Sequence, residues 1–309
     1  MQLHVSRILI LSITTVAAIL VIVSLKSHES VYGSVNKDWR SPFEFNELPH
    51  RVMYKNWKKC MVKKTSSFRD NQKETWNKIA AVMQECEHPI VSKLNVKVFS
   101  NSDEDKRHIL PLNKGETQTV VTIGVGHDTR AEEQFLQTVG NKSVEFFGAD
   151  PMVEINQDLY SKFGKFFPFA VSSKPGFSTA SVLDQGAYKD KLVINVDAVY
   201  FFTKLIGKTF FDSVWMDAEG AEYELFDFIN EGGAFDQNGI TICQINMEIH
   251  DPNDKKKKLA SDFIYKTLED ERYGMFYAVT AVHMRLYLVN FADKACVDKY
   301  IPRETSGTH

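Results

Sequence analysis

From residue 119 onward, short apolar runs alternate with amphipathic stretches, and this alternation constrains the fold more than any other feature of the sequence. The β-branched run at residues 119–123 (TVVTI) ends at Gly124 and Gly126, and an amphipathic pattern at residues 131–139 follows it. A strand, a glycine turn and a helix in this order are typical of the first unit of a nucleotide-binding sheet. The sequence therefore predicts an α/β fold with a mostly parallel sheet.

The rest of this region continues the pattern. Thr129 and Glu132, three residues apart, predict a capping box at the start of the first helix. The last two strand-like runs, at residues 275–280 and 286–290, are too close together for a crossover helix, so we expect them to pair antiparallel. Further strands are predicted at residues 144–148, 166–171, 211–216 and 240–249, and further helices at residues 223–229 and 259–268.

A mostly parallel sheet with one reversed strand near its C-terminal end resembles the class I methyltransferase form of the Rossmann-like, doubly wound fold. We expect residues 119–300 to form this domain. Residues 56–118 are expected to form an N-terminal helical extension, with one helix marked by apolar residues from Trp76 to Met83 and closed by Pro89. A length of 309 residues with 43% hydrophobic residues suits one globular body and excludes disordered or multi-span classes.

The N-terminus carries an apolar segment. Residues 8–25 (ILILSITTVAAILVIVSL) are 18 residues without a charge, and as a helix they would span ~27 Å, close to the thickness of a bilayer core. A signal peptide usually has a shorter apolar core followed by a cleavage site between small residues, and no good site follows Leu25. We therefore expect a transmembrane signal anchor at residues 8–25, after a short tail (1–7) and before a stem (26–55). A cleaved signal peptide is the alternative.

Two features favour a lumenal or extracellular body. Asn141 begins a glycosylation sequon between a predicted helix and a predicted strand, where a surface loop is expected. Cys60 and Cys86 flank an amphipathic stretch, where a disulfide would stiffen the membrane-proximal segment. Cys243 lies in an apolar strand pattern and is predicted to be a small core residue. The formal net charge of -3 argues against nucleic acid as a main partner.

Ligands of doubly wound sheets bind outside the carboxyl ends of the strands, so the residues at those ends form the candidate site. Gly124 and Gly126 allow close approach of a ligand, and Asp150 at the end of the second strand can accept hydrogen bonds from both ribose hydroxyls of an adenosyl ligand. Thr129 replaces the third glycine of the dinucleotide fingerprint, which weakens the case for NAD or FAD. A plain tight turn and a helix cap are the alternative interpretations.

The most informative string follows the fourth strand, where Asp217, Glu219 and Glu222 fall within six positions. Charged side chains beside a hydrophobic core usually form ion pairs or take part in binding or catalysis. The string DAEGAE resembles the DVEGAE signature of FkbM-type methyltransferases, which are S-adenosylmethionine-dependent enzymes, and departs from it at Ala218. The resemblance covers roughly residues 119–290, through GVG at the first turn, ADP after the second strand, WMDAEGAEYELF after the fourth and QINMEIH on the fifth.

This resemblance implies S-adenosyl-L-methionine as the cofactor and assigns roles to four residues. Gly124 and Gly126 would line the cofactor, Asp150 would hold its ribose, and Asp217 would face the reacting centre. Residues 127 and 128 are His and Asp, where the family has Asn and Gly. The contacts to the methionine part of the cofactor are therefore not carried over from the family.

Methyl transfer from a sulfonium is an in-line displacement, in which the protein positions donor and acceptor and removes a proton from the acceptor. Asp217, Glu219 and His250 are the candidate bases, since His250 ends the fifth strand beside the fourth. Asp217, Glu248 and His250 could instead bind a divalent cation, or His250 could simply bond to a loop carbonyl. The expected acceptor is a hydroxyl group on a glycan, a lipid or a small molecule in the secretory pathway.

Two rival functions remain open at this stage. A membrane-anchored glycosyltransferase would agree with the anchor and stem, and Asp103, Glu104 and Asp105 form a DxD string behind a strand-like run. A non-catalytic module that binds an adenosyl ligand or a partner would keep the same fold, because every motif named above is also structural.

Overall fold

The computed structural model describes residues 49–184, 186–250 and 252–303. The predicted anchor at residues 8–25 and most of the predicted stem lie outside these residues. Within the described part, no helix combines the length and the apolarity that a membrane span needs.

Helices and strands alternate along the described chain. The helices are α1 (Pro49–Thr65), α2 (Gln72–Val91), α3 (Arg130–Val139), α4 (Asn156–Tyr160), α5 (Ala198–Tyr200, continued by a π-helical turn, Phe201–Ile206), α6 (Glu222–Ile229), α7 (Ala234–Gln237), α8 (Asp254–Asp270) and α9 (Lys294–Tyr300). The strands are β1 (Val96–Ser100), β2 (Asp105–Ile109), β3 (Gln118–Ile123), β4 (Val144–Ala149), β5 (Gly164–Phe167), β6 (Ala170–Ser172), β7 (Gly176–Asp184), β8 (Ala187–Asp197), β9 (Phe210–Phe211), β10 (Ser213–Met216), β11 (Thr241–Ile242), β12 (Gln244–Ile249), β13 (Tyr273–Thr280) and β14 (Met284–Asn290).

The central sheet has seven strands in the order β13, β14, β12, β10, β3, β4, β5. β14 pairs antiparallel with both of its neighbours, β12 and β13, and the other pairs are parallel. The predicted mostly parallel sheet with one reversed strand is therefore confirmed, as is the antiparallel pairing of the last two strands. The switch point of the sheet lies between β3 and β10, where doubly wound folds bind their ligands.

Each face of the sheet is covered by its own set of helices. Successive residues of a strand point to opposite faces, and β3 follows this rule: Val121 joins the larger core with α1, α2, α6 and α8, whereas Val120 joins a smaller core with α3 and α4. All six residues of β3 are buried, and five of them are β-branched, as suits a strand that is covered on both faces.

Three of the predicted strands, at residues 166–171, 211–216 and 240–249, are each interrupted. The strand predicted at residues 166–171 is wrong as a single element: β5 ends before Pro168, and β6 after it belongs to a different sheet. The strand ends there because proline has no N–H to donate to the sheet. The predicted strand at 211–216 is interrupted at Asp212, whose carboxylate accepts a hydrogen bond of 2.6 Å from the Thr119 N–H.

The boundaries of the first two helices also differ from prediction. Pro89 lies inside α2 and does not end it, because the proline removes only one hydrogen bond in the last turn while the buried Ile90 continues the packing. Residues 49–55, assigned to the stem, belong to α1. Tyr54 and Trp57 of this helix are buried in the larger core, and this packing stabilises a stretch that is otherwise rich in lysine.

The predicted capping box at the start of α3 does not form. The hydroxyl of Thr129 donates to Glu133, one position beyond the expected partner, at 3.1 Å. Glu132 is turned inward and accepts a hydrogen bond from the hydroxyl of Thr122 on β3. Instead of Thr129, the side chain of Asn101 accepts from the Ala131 N–H at 2.9 Å, so a residue from the β1–β2 loop caps this helix.

The described chain contains two disulfide bonds. Cys60 of α1 is bonded to Cys86 of α2, and Cys243 is bonded to Cys296 of α9. Cys243 is buried, as predicted, but it is bonded to Cys296 and is therefore not a plain core residue. It lies between β11 and β12, so the strand predicted at residues 240–249 is divided in two.

Candidate functional site

A cavity of about 440 Å³ opens at the carboxyl ends of β3, β4 and β10. This volume lies within the range of ~300–1,000 Å³ that is usual for ligand pockets. The loops after these strands supply the residues that the sequence predicted. The β1–β2 loop and the β7–β8 hairpin supply further walls, which sequence reasoning missed because it found neither hairpin. In β7 and β8 several apolar residues, among them Phe177, Leu192 and Ile194, are exposed, so the sequence does not alternate between apolar and polar residues as a strand with one buried face does.

The two glycines after β3 serve different purposes. Gly124 has a φ of 86°, and a Cβ there would stand 1.7 Å from the backbone oxygen of Asp217, so the glycine lets the β3 and β10 ends approach each other. Gly126 has a φ of 62°, and a Cβ there would meet nothing within 4 Å. Open space beside Gly126 fits the close approach of a ligand, whereas Gly124 is required by the packing of the chain itself.

Asp150 lies at the end of β4, as predicted, and is buried. Its Oδ2 accepts hydrogen bonds from the N–H groups of Val125 (2.8 Å) and Gly126 (3.3 Å), and its Oδ1 accepts from the N–H of Met152 (2.7 Å). The carboxylate therefore shapes the glycine turn. Its contact with a ribose stays a prediction.

The residues that depart from the family pattern after the glycine turn hold a neighbouring loop. Asp128 Oδ2 accepts hydrogen bonds of 2.8 Å from both the N–H and the hydroxyl of Ser102 in the β1–β2 loop. Burial raises the pKa of Asp128, but hydrogen bonds from Arg130 and Ser102 outweigh it and hold this pKa well below its usual range. His127 has a φ of 63°, and its N–H donates to Asn156 at 2.9 Å. These contacts place the β1–β2 loop against the cavity.

The acidic string after β10 surrounds one histidine. The Nε2 of His250 lies 3.2 Å from Asp217 Oδ1 and 3.8 Å from both Glu219 Oε2 and Glu248 Oε1, and its Nδ1 lies 3.4 Å from Glu222 Oε1. The structure thus brings the three predicted candidates, Asp217, Glu219 and His250, together at the edge of the cavity.

This clustering decides the charge of the histidine. Burial lowers the pKa of His250, but the nearby carboxylates of Asp217 and Glu222, at 3.2 and 3.4 Å, outweigh it and raise the pKa to about 11. Burial raises the pKa of Asp217, but the pairing with His250 outweighs this and lowers it. At neutral pH the pair is an imidazolium and a carboxylate. A protonated imidazole has no free lone pair, so it cannot accept a proton from a substrate.

Glu219 differs from its neighbours. Its side chain is 30% exposed and lines the cavity, and it shares a hydrogen bond with the hydroxyl of Tyr188 on the β7–β8 hairpin. Its φ of 51° is in the left-handed region, which is rare for a non-glycine residue and is found more often at functional sites. Burial raises the pKa of this carboxyl. The hydrogen bond with Tyr188 and the charge of His250 oppose the rise, the charges of Asp217 and Glu222 add to it, and the pKa remains raised.

Glu222, to which the sequence analysis gave no role, is the most buried acid of the string, with 0% exposure. Its Oε1 accepts a hydrogen bond from the backbone N–H of His250 at 2.7 Å, and its Oε2 accepts one from the backbone N–H of Gly220 at 2.9 Å. It therefore joins the end of β10 to the end of β12. The spacing of acids in the motif signals that these residues matter, but it does not separate the structural acid from the others.

The carboxylates near the cavity already have cationic partners. Oxygen atoms of Glu104, Asp217 and Glu248 lie within 4.8 Å of one another, but Lys106 pairs with Glu104 and Arg285 pairs with Glu248 through Nε at 2.7 Å. A divalent cation bound by Asp217, Glu248 and His250 stays a prediction.

The DxD string is used structurally. Glu104 is largely buried against Lys106. Asp105 lies in β2, where it accepts a hydrogen bond of 2.6 Å from the hydroxyl of Ser100. Two of the three acids are therefore engaged within the hairpin.

The strand order, the reversed strand, the glycine turn and the acid after β4 together define a Rossmann-like methyltransferase fold. The chain belongs to the FkbM methyltransferase family, since the Methyltransferase FkbM domain matches residues 75–296. The protein is therefore a methyltransferase, and its cofactor is S-adenosyl-L-methionine. The open space at Gly126 and the size of the cavity fit this cofactor. This assignment displaces the glycosyltransferase alternative.

Three individual proteins are distantly similar to the chain. Uncharacterized protein C28H8.7 of Caenorhabditis elegans is 24% identical over 250 residues, which are 79% of each chain. Among solved structures, a Clostridium thermocellum protein described as an rRNA methylase aligns with a TM-score of 0.33 at 10% identity, over 59% of this chain and 90% of that one. The 1,6-didemethyltoxoflavin-N1-methyltransferase of Burkholderia thailandensis aligns with a TM-score of 0.29 at 10% identity, over 58% and 73%.

Proposed function

We propose that this methyltransferase transfers the methyl group of S-adenosyl-L-methionine to a hydroxyl group of a glycan, a lipid or a small molecule in the secretory pathway. The observation that carries the proposal is the meeting of the glycine turn, Asp150 and the carboxylates of Asp217 and Glu219 on one cavity. The cofactor supplies the electrophilic methyl group. The protein has to bind and orient the two substrates and take up one proton.

Glu219 is the proposed general base. A hydroxyl group must lose its proton as the methyl group is transferred, and a base works best when its pKa approaches the working pH. Glu219 combines a raised pKa with exposure to the cavity. The other two candidates are committed to each other, because His250 carries the proton that Asp217 stabilises. We assign this pair the role of orienting the end of β10.

The walls of the cavity support a neutral, hydroxyl-rich acceptor. Acidic side chains outnumber basic ones along the lining, which disfavours a polyanion such as nucleic acid. Tyr188, whose side chain is 60% exposed at the cavity, presents an aromatic surface next to Glu219. An aromatic ring beside carboxylates can pack against the apolar face of a sugar while the carboxylates accept from its hydroxyls.

A lumenal or extracellular location is part of the proposal. All four cysteines of the chain are joined in disulfides, and such bonds persist in oxidising compartments. Asn141 is exposed in the turn between α3 and β4, which is the position a sequon needs. Glycosidase treatment of the native protein should increase its mobility on a gel, and Asn141→Gln should abolish that shift. An unglycosylated Asn141 together with reduced cysteines would refute this location.

The activity is tested with the full-length protein and S-adenosyl-L-methionine that carries a labelled methyl group. Glycans, lipids and small hydroxyl compounds are offered as acceptors, and transfer to one of these classes, lost in Glu219→Gln, is the expected result. Asp227→Asn, on an exposed part of α6, is the control and should transfer at the wild-type rate. A protein that binds the cofactor but labels only amines or no acceptor at all would refute the proposed O-methylation.

A further inference from the structure

Glu132 is a carboxyl group that neither the fold nor the proposed reaction explains. It is the third residue of α3, it is 2% exposed, and it lines the cavity together with Thr122. Its Oε1 accepts a hydrogen bond of 2.7 Å from the Thr122 hydroxyl. Its Oε2 is buried and has no hydrogen-bond partner among the residues that the structure describes.

A buried oxygen without a partner is unusual, because nearly all buried polar atoms of native proteins are hydrogen-bonded to protein, water or a ligand. The neighbouring hydroxyls cannot supply the missing bond. Thr122 already donates to Oε1, and the hydroxyl of Tyr160 donates to Thr122 at 3.0 Å. Oε2 therefore has room for a donor that comes from outside the described protein.

A buried cation lies in the same part of the cavity. Lys106 of β2 is 4% exposed and lines the cavity. Its Nζ forms an ion pair with Glu104, which uses one of the three donors of an ammonium group. Lys106 and Glu132 are close enough that the positive charge of Lys106 lowers the pKa of Glu132 and the negative charge of Glu132 raises that of Lys106.

We propose that Glu132 and Lys106 bind the two ends of the zwitterionic amino-acid group of the cofactor, with Glu132 accepting from its α-ammonium and Lys106 donating to its α-carboxylate. Thr122, which holds Glu132, stands two residues before Gly124, so the pair lies next to the glycine turn. Asp217 is less suited to the ammonium, because its carboxylate is already paired with His250. The inference rests on the family cofactor and is independent of the acceptor and of the O-methylation.

The ionisation of Glu132 gives a second readout of the same contact. Burial raises the pKa of Glu132 to about 7. The hydrogen bond from Thr122, the backbone N–H of Glu132 itself and the charge of Lys106 oppose the rise, and the charge of Glu104 adds to it. Tyr160, whose pKa burial raises well above its usual value, stays neutral beside it. An ammonium group bound to Glu132 would keep the carboxylate ionised, so cofactor binding at neutral pH should release protons from this site.

The test is calorimetry on the full-length protein with three probes: S-adenosylhomocysteine, its analogue without the amino group, and 5′-methylthioadenosine, which lacks the whole amino-acid part. Glu132→Gln keeps the acceptor for Thr122 and removes the charge. It should weaken binding of S-adenosylhomocysteine by about 10- to 100-fold, which corresponds to one hydrogen bond between charged groups. Binding of the other two probes should stay within about threefold of wild type.

Glu133→Gln, one position along the same helix, is the matched control and should bind all three probes as the wild type does. Binding in buffers of different ionisation enthalpy should reveal proton release at pH 7 for the wild type and less for Glu132→Gln. Wild-type affinity for S-adenosylhomocysteine in Glu132→Gln, or an equal loss for all three probes, would overturn the assignment of Glu132.

Lys106 is tested by Lys106→Met together with Glu104→Gln, since the single lysine variant would leave Glu104 buried without its partner. After a thermal melt has established folding, the double variant should lose affinity for S-adenosylhomocysteine and for its deaminated analogue, both of which keep the carboxylate. It should bind 5′-methylthioadenosine as the wild type does. Unchanged binding of all three probes would refute the carboxylate contact.

Discussion

Glu219 and Glu222 stand three positions apart in one motif, and we expect their amide variants to fail in opposite ways. Glu222 is fully buried, and its two oxygens accept from the backbone N–H groups of Gly220 and His250. In Glu222→Gln the amide NH₂ would face one of these donors, and the charge that pairs with His250 would be lost. We expect a loss of about 2–4 kcal/mol in the free energy of unfolding, or roughly 5–15 °C in Tm at about 2–4 °C per kcal/mol for a domain of this size.

Glu219→Gln should behave differently, because this side chain is partly exposed and its contacts are with the side chains of His250 and Tyr188. Its melting temperature should stay within about 2 °C of wild type, as is usual for surface substitutions. Single-turnover methyl transfer should fall by roughly 10²- to 10⁴-fold, the typical contribution of a proton-transfer group.

Thermal melts and single-turnover assays on the two variants and on Asp227→Asn separate the roles. The folded fraction of Glu222→Gln, measured well below its melting temperature, should retain most of the cofactor affinity. Destabilised Glu219→Gln with wild-type turnover would refute the assignment of Glu219 as base. Wild-type stability in Glu222→Gln would contradict the account of Glu222 as the acid that joins β10 to β12.

Three further outcomes follow from the geometry. The folded-state pKa of His250, about 11, lies above the unfolded value of ~6.5. Protonated His250 therefore stabilises the fold fully below ~pH 6.5, and this stabilisation is lost as the pH rises through 11. Between pH 6 and 11, the melting temperature should fall more steeply for wild type than for His250→Gln. The disulfide between Cys243 and Cys296 closes a loop with a sequence separation of 53, so its removal should cost about 4 kcal/mol in the chain-entropy model, measured by denaturant unfolding; an unchanged midpoint would contradict this. Gly124→Ala should fail to fold stably, because its Cβ would stand 1.7 Å from a backbone oxygen. Gly126→Ala should fold and lose about 1 kcal/mol in the free energy of unfolding, because alanine disfavours the positive φ at this position. Equal stability of the two variants would count against the packing argument.

Much of the fold could be predicted because its signals are local. The run at residues 119–123 consists entirely of β-branched residues, which favour a strand, and the short gap before β14 permits only an antiparallel pair. The strands that were predicted wrongly were broken by single residues. Pro168 lacks a donor, and Asp212 bonds to the backbone of another strand, an event that no local pattern reports.

The candidate site was predictable in part for the same reason. Asp217, Glu219 and His250 follow strands that end at one edge of the sheet, so their meeting follows from topology. The different roles of these three residues do not follow from topology. The pKa of His250 is raised by Asp217 and Glu222, which follow a different strand, and the pKa of Glu219 is raised by burial; no local sequence pattern reports either cause.

The sequence by itself determined the alternation of strands and helices, the reversed strand and the motif that marks the family, because each depends on residues close together in the chain. Only the tertiary structure decided which acids are charged, which are structural, and which cysteines pair, as with Cys243 and Cys296. It also brought Lys106 and Glu132 from separate elements to one cavity. Burial and the distance between charges determine these properties, and both arise from contacts between segments that are far apart in sequence.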